Sequence, residues 1–212
     1  MSFFKSFKSE PFLWIHLSGI VAFPIFLGIT WLGLSISDRL SLFWMEILLM
    51  MVIGIVPVFL MQWSRPFEIF SLLILAMKPD KITDRQRQIL SLFKMPKQRL
   101  LSAVTALIML GILYGLYQLP PVSVSEPLNE LLSEFPMLAQ VKFFGLIVAY
   151  VAFAGANLFL QVPISVLGVL SNNEQQFAAI APYPTEKILQ DFTLAGFQVD
   201  KIIAIEQSSL QK

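Results

Sequence analysis

The chain is 212 residues long, 56% hydrophobic and only 14% charged, with a mean hydropathy of +0.72; this excludes an ordinary soluble domain and indicates an integral membrane protein. Fifteen basic against fourteen acidic side chains leave a formal charge of +1, which gives no basis for nucleic-acid binding. The absence of cysteine and the single histidine exclude disulfides, thiolate metal sites, iron–sulfur clusters and thiol nucleophiles, and leave little for zinc, haem or Ser-His-Asp chemistry.

A hydrocarbon core roughly 30 Å thick needs about 20 largely apolar residues in a helix, and four segments qualify. The first, residues 12–37, has no charged residue. Following Lys5 and Lys8, it is too long for a cleaved signal sequence and has no Ala-x-Ala-like exit, so it is expected to be retained. His16 lies about one turn into it, beside Trp14. A neutral imidazole there is either an axial ligand to a chlorophyll magnesium or haem iron, or an interfacial group bonded to a headgroup, a water or a carbonyl. A short joint at Ser37-Asp38-Arg39 makes the first two spans an antiparallel hairpin. The second span, 42–63, carries one charge, Glu46, in its first turn, where the helix dipole favours a carboxylate. That position predicts a snorkelling interface residue rather than a proton carrier.

The insert 64–99 opens with an apolar stretch from Phe67 to Met77, about 11 residues that reach only about half the bilayer core at 1.5 Å each. It must lie flat, re-enter, or pack beneath the bundle. Thr83 or Asp84 then caps an amphipathic helix running to about Lys94. Arg85, Arg87, Lys94, Lys97 and Arg99 suit anionic lipid headgroups, the alternative being that they only mark the cytoplasmic side. The third span, 100–119, contains the small-residue pair Gly111 and Gly115; Glu126, Glu130 and Glu134 follow in a loop without bases. The fourth, 138–170, is longer than a span requires, so it either tilts or breaks at Pro163; Pro24 and Pro57 are further bend points. On this span Gly145, Ala149, Ala152 and Ala156 form a seam for close helix approach, and Asn157 and Gln161 share a face suited to bonding across helices.

Residues 171–212 form a small polar tail. Pro184-Thr185 starts a helix that Gly196 stops, Val199 to Ile205 reads as a strand, and Phe177 to Ala181 as a second strand. Such a tail buries too little core alone and is expected to dock on the insert or on another protein. The expected fold is therefore an all-α polytopic membrane protein with four transmembrane helices. Membrane domain 1–170 includes cytoplasmic interfacial helices between spans 2 and 3, and 171–212 is a small cytoplasmic α/β tail. Thirteen of the fifteen bases fall on the side holding the N-terminal arm, the insert and the tail; Arg39 and Lys142 are the exceptions. The positive-inside rule places both termini in the cytoplasm.

Two stretches resemble a known family. Glu10-Pro11-Phe12-Leu13-Trp14-Ile15-His16-Leu17 with Pro24 is one; the other is Gln62-Trp63-Ser64-Arg65-Pro66-Phe67-Glu68-Ile69-Phe70-Ser71, continuing through Lys78-Pro79 to Arg87-Gln88-Ile89-Leu90-Ser91-Leu92-Phe93-Lys94. They resemble the cyanobacterial membrane proteins labelled as having a low-complexity tail, over roughly the first half of the chain, with only a vestige of that tail at Gln207-Ser208-Ser209-Leu210-Gln211-Lys212. The resemblance implies a photosynthetic bacterial host and a thylakoid or plasma membrane, and implies no activity.

No phosphate loop, paired-carboxylate site or intramembrane protease motif is present in the sequence, so enzymatic activity is not expected. The leading reading is a non-catalytic subunit or assembly factor of a larger membrane complex, a photosystem or its assembly intermediate. It needs no cofactor of its own; chlorophyll or carotenoid would be held only where a partner closes a site near His16. The alternative is a small transporter or channel component whose polar path is lined by Asn157, Gln161 and Glu46.

Overall fold

The structure is a computed structural model and describes residues 6–37, 43–72, 74–120 and 138–202, with the backbone alone for 138–142. The acidic loop with Glu126, Glu130 and Glu134, the joint residues Asp38 and Arg39, the Lys142 side chain and residues 203–205 of the expected last strand lie outside the described residues.

Four helical segments are long and apolar enough to cross a membrane: Pro11–Ile36, Phe43–Ser64, Pro96–Gln118 and Phe143–Leu170. The first comprises α1 (Pro11–Ser18) and α2 (Ala22–Ile36), joined by a 3-10 turn at Gly19–Val21. The second comprises α3 (Phe43–Met50) and α4 (Val56–Ser64), joined by a π-helical turn at Met51–Ile55. Both irregularities precede a proline. Pro24 and Pro57 cannot donate to the carbonyls four residues back, those of Ile20 and Ile53, and their rings crowd them. Each irregular turn falls on those carbonyls.

The third and fourth spans are α6 (Pro96–Gln118) and α7 (Leu138–Leu170). Helix α7 runs unbroken through Pro163, so of the two expected alternatives the break does not occur. Its 33 residues reach about 50 Å at 1.5 Å per residue, well beyond a core of about 30 Å. The surplus has a use: Val166 and Val169, in the last turns, are buried against the domain beyond the helix ends. Within the bundle Leu34, Met50, Met109, Leu113 and Phe153 form the common core.

The insert, the N-terminal turn and the tail assemble into one cap at the end of the bundle. Between α4 and α6 come β1 (Ser71–Leu72), β2 (Leu75–Met77) and α5 (Asp84–Phe93); after α7 come α8 (Glu174–Ala178), α9 (Thr185–Asp191) and β3 (Phe197–Val199). The sheet order is β1-β2-β3, with β2 antiparallel to β1 and parallel to β3. The Phe67–Met77 stretch thus packs beneath the bundle: Ile69, Phe70, Ala76 and Met77 are buried, with Ile89, Leu90, Phe93, Phe177, Ile188 and Phe192 filling the same core. Thr83 caps α5, its hydroxyl accepting from the Gln86 N–H while the Gln86 side chain accepts from the Thr83 N–H, a reciprocal arrangement that satisfies two otherwise unpaired donors.

The tail departs from expectation in two places. Residues 177–181 do not form a strand; Glu174–Ala178 is helical, started by the equivalent reciprocal cap of Asn173 and Gln176, a local signal stronger than the apolar character of Phe177. Helix α9 ends at Asp191, and Gly196 serves instead at the turn into β3, with φ +98 and its backbone against Ile74. The strand itself is Phe197–Val199, two residues earlier than expected, because its partner Leu75–Met77 sets the register.

Candidate functional site

The polar residues inside the bundle converge on one network. The π-helical turn leaves carbonyls on the second span without regular helical partners, and Asn157 Nδ2 of α7 donates to two of them, Gly54 at 2.9 Å and Ile55 at 3.3 Å. Gln161 Nε2 donates to Asn157 Oδ1 at 3.1 Å, and Ser102 Oγ of α6 donates to Gln161 Oε1 at 2.9 Å. All three side chains are buried. The network ties the second, third and fourth spans together at one level. Ser102 and the Gly54 carbonyl escaped the sequence reading; a hydroxyl in an apolar span and a glycine preceding Pro57 were the available signals.

The two small-residue seams separate. Gly145, Ala149, Ala152 and Ala156 face inward, and Gly145 and Ala149 meet Gly33 of α2: a Cβ built on Gly33 would stand 2.7 Å from the Gly145 carbonyl oxygen and 2.9 Å from the Ala149 nitrogen. Gly111 and Gly115 sit on the outer face of α6, where an added Cβ meets nothing within 4 Å among the described residues. Leu107 and Tyr114 on that face are 70% and 51% exposed.

Glu46 corrects an expectation. It is fully buried and faces the bundle rather than snorkelling, with Tyr150 of α7 within electrostatic reach. Helical periodicity decides this: Trp44, Met45, Leu48 and Leu49 occupy the outward positions of α3 and turn Glu46, Ile47 and Met50 inward.

His16 meets its own helix. Its Nδ1 lies 2.9 Å from the Phe12 carbonyl, so that nitrogen carries the proton and donates, and the ring also meets the Ser71 backbone and the Phe67 ring, 5.6 Å between centroids. Beside it is a cavity of about 240 Å³ lined by Gly19 of the first span, Phe159 and Pro163 of α7, and Leu72 and Ala195 of the cap. This is below the range of about 300–1,000 Å³ for pockets that enclose a whole drug-sized ligand, so it does not enclose a tetrapyrrole ring.

The bases assigned to anionic lipid divide into two groups. Arg87 donates to the Tyr183 carbonyl and pairs with Asp84, Lys94 donates to the Ser64 carbonyl and lies over the Phe192 ring, and Arg85 interacts with Glu10. These three are half-buried and join the parts of the cap. Burial pushes the Lys94 ammonium below its ordinary value. Lys97 and Arg99 are exposed at the start of α6, the first bonded to Ser171 and the second over the Trp63 ring at 6.0 Å.

The cap also holds a carboxyl that the sequence reading passed over. Glu68 is fully buried in the turn before β1; Oε1 accepts from the Phe70 N–H at 2.8 Å and Oε2 has no hydrogen-bond partner among the described residues. Burial pushes its pKa up to about 8, against the opposing effect of the Phe70 N–H and the Ser71 hydroxyl. Its signal was to be the only charge in the apolar stretch 67–77. Glu10, beside Gln86, is likewise pushed up by burial. Among the described residues no group of three or more His, Asp or Glu side chains is placed to hold a metal ion.

A family model described as low-complexity tail membrane protein-like matches residues 9–204, past the motifs of the first half and through α7 and the tail. No curated protein and no solved structure matches the chain.

Proposed function

Because this chain belongs to the low-complexity tail membrane protein-like family, we propose that it acts as a non-catalytic subunit or assembly and stabilising factor of a larger membrane complex, a photosystem or its assembly intermediate. The observation carrying the proposal is the outer face of α6. Unlike the seam around Gly145, the Gly111–Gly115 pair would put an added Cβ within 4 Å of nothing among the described residues, and small residues four apart let another helix approach closely. The photosynthetic setting rests on the resemblance of the Glu10–Leu17 and Gln62–Lys94 motifs. On this reading the membrane is a thylakoid or plasma membrane and the cap is cytoplasmic. Apart from Lys142, every lysine and arginine among the described residues lies in the cap or at a helix end adjoining it, as the positive-inside rule requires. Lys97 and Arg99 meet anionic lipid, no cofactor is needed by the chain alone, and any chlorophyll or carotenoid is held only at the partner interface. The transport alternative has less to stand on, since Asn157 and Gln161 bond to groups within the bundle rather than lining an open path.

The test is gentle purification of the tagged chain from its own membrane. The expected particle is much larger than 24.0 kDa plus a micelle, and Gly111→Leu with Gly115→Leu releases the chain from it. A monomer under several mild conditions, or a complex indifferent to the double substitution, overturns the proposal.

A further inference from the structure

The cavity beside His16 sits at a boundary. Its floor is bundle, from Ile15 and Gly19 on the first span and Leu158, Phe159, Val162 and Pro163 on α7; its roof is cap, from Phe67, Leu72 and Ala195. Two of its lining residues are unusual. Gly19 has no side chain to project into it. Pro163 has no N–H, which withdraws the regular helical donor from the Phe159 carbonyl four residues earlier, and both residues line the space. Apart from His16, every lining side chain is apolar.

The cap has a second unusual feature. The cap's most exposed large apolar side chains, Ile74 at 70% and Phe197 at 80%, are neighbours, with the Phe197 N–H donating to the Ile74 carbonyl at 2.8 Å. Gly196 makes this contact possible, since any Cβ there would stand 2.0 Å from the Ile74 carbonyl carbon. Ile74 and Phe197 lie two residues from the roof residues Leu72 and Ala195 in sequence. On the helix side Trp14 and Ile15 are also exposed, at 54% and 41%, on a span whose outward surface faces lipid. Large exposed apolar groups are disfavoured in water but suit the boundary between headgroups and hydrocarbon.

We propose that this cavity is a binding site for one hydrocarbon chain of a bilayer lipid, which enters from the membrane between the first span and α7 while Ile74 and Phe197 rest in the interfacial layer. The occupant is argued from size, lining and continuity together. The volume suits part of a molecule rather than a ring system, the walls are apolar, and Ile15, one of those walls, is also exposed on the outward surface of the first span. The headgroup stays outside, so the site selects a chain and not a charge. The lipid then acts as a wedge that joins the cap to the bundle where protein atoms do not fill the joint.

The full chain is reconstituted into phosphatidylcholine vesicles containing phosphatidylcholine with a photoactivatable diazirine on one acyl chain, irradiated, and its labelled residues mapped by mass spectrometry. Labelling is expected at the cavity walls, Leu72, Leu158 or Phe159, as well as at Leu107 on the open face of α6. Ala195→Trp, which places a ring in the mouth from a cap loop, is expected to abolish wall labelling and leave Leu107 unchanged. Leu72→Trp repeats the plug from β1 and covers the case where the first variant misfolds, as shown by loss of its normal gel-filtration peak. Wall residues that stay unlabelled while Leu107 is labelled overturn the proposal. So does wall labelling that survives both plugs. Recovery of a pigment or isoprenoid in place of a diacyl lipid, when the purified wild-type protein is extracted with solvent, overturns the choice of occupant.

Discussion

Gly33 on α2 and Gly145 on α7 stand so close that each glycine's missing side chain is the other's packing space: a Cβ on Gly33 would be 2.7 Å from the Gly145 carbonyl oxygen, and a Cβ on Gly145 would be 3.1 Å from the Gly33 carbonyl oxygen. In lipid, where burying apolar surface gives helices little reason to associate, this kind of backbone approach supplies the contact.

Gly33→Ala is therefore expected to force α2 from α7 and destabilise the bundle by about 1–3 kcal/mol, the usual penalty of overpacking, whereas Gly111→Ala is expected to leave stability unchanged. Apparent melting temperatures of both variants in one mild detergent check this. Equal shifts for the two would show that the seam is not the joint.

Asn157→Leu removes the donor from the Gly54 and Ile55 carbonyls and the acceptor from Gln161. Hydrogen bonds between membrane helices contribute modestly, about 0.6 and at most about 1.7 kcal/mol in measured cases, so a loss of about 1 kcal/mol is expected. The readout is the midpoint of unfolding on titrating SDS into a mild-detergent solution. An unchanged midpoint would mean that the π-helical turn satisfies its carbonyls without α7.

Glu68 makes the cap sensitive to pH in a stated direction. Its pKa rises from an ordinary 4.5 to about 8 on folding because burial disfavours the carboxylate, so the folded chain holds the proton more tightly than the unfolded one. The associated stability is fully present below about pH 4.5, declines as the pH rises, and is lost above about pH 8. Thermal unfolding at about pH 5 and about pH 9 should show a marked fall for the wild type and a flatter profile for Glu68→Gln, which is neutral throughout. Glu10, also raised by burial, leaves a residual slope. Parallel profiles for the two proteins would remove Glu68 as the cause.

The polar network shows how far the residues alone could be read. Asn157 and Gln161 stand out because a polar amide in an apolar span is costly unless bonded, and their spacing puts them on one helical face. Their acceptors could not be read in the same way: the Gly54 and Ile55 carbonyls became available through a π-helical turn, and Pro57 marks a bend point there without showing which carbonyls the turn frees. Glu68 shows the converse, a charge visible in the chain whose burial depends on Phe70, β1 and a tail more than a hundred residues away.

What the sequence determined by itself was local. Lipid requires each span to satisfy its own backbone hydrogen bonds over about 20 residues, so the four helices were readable from runs of apolar residues, and α5 from a cap at Thr83 or Asp84 and an amphipathic pattern. Tertiary structure decided what depends on distant partners. Strand β3 begins at Phe197 because Leu75–Met77 sets its register. Glu46 is enclosed because the face of α3 it shares with Ile47 and Met50 packs against the bundle core. Gly145 and Gly111, alike as small residues in apolar helices, end one against another helix and one in the open, because a missing side chain is a joint only where a second backbone comes to meet it.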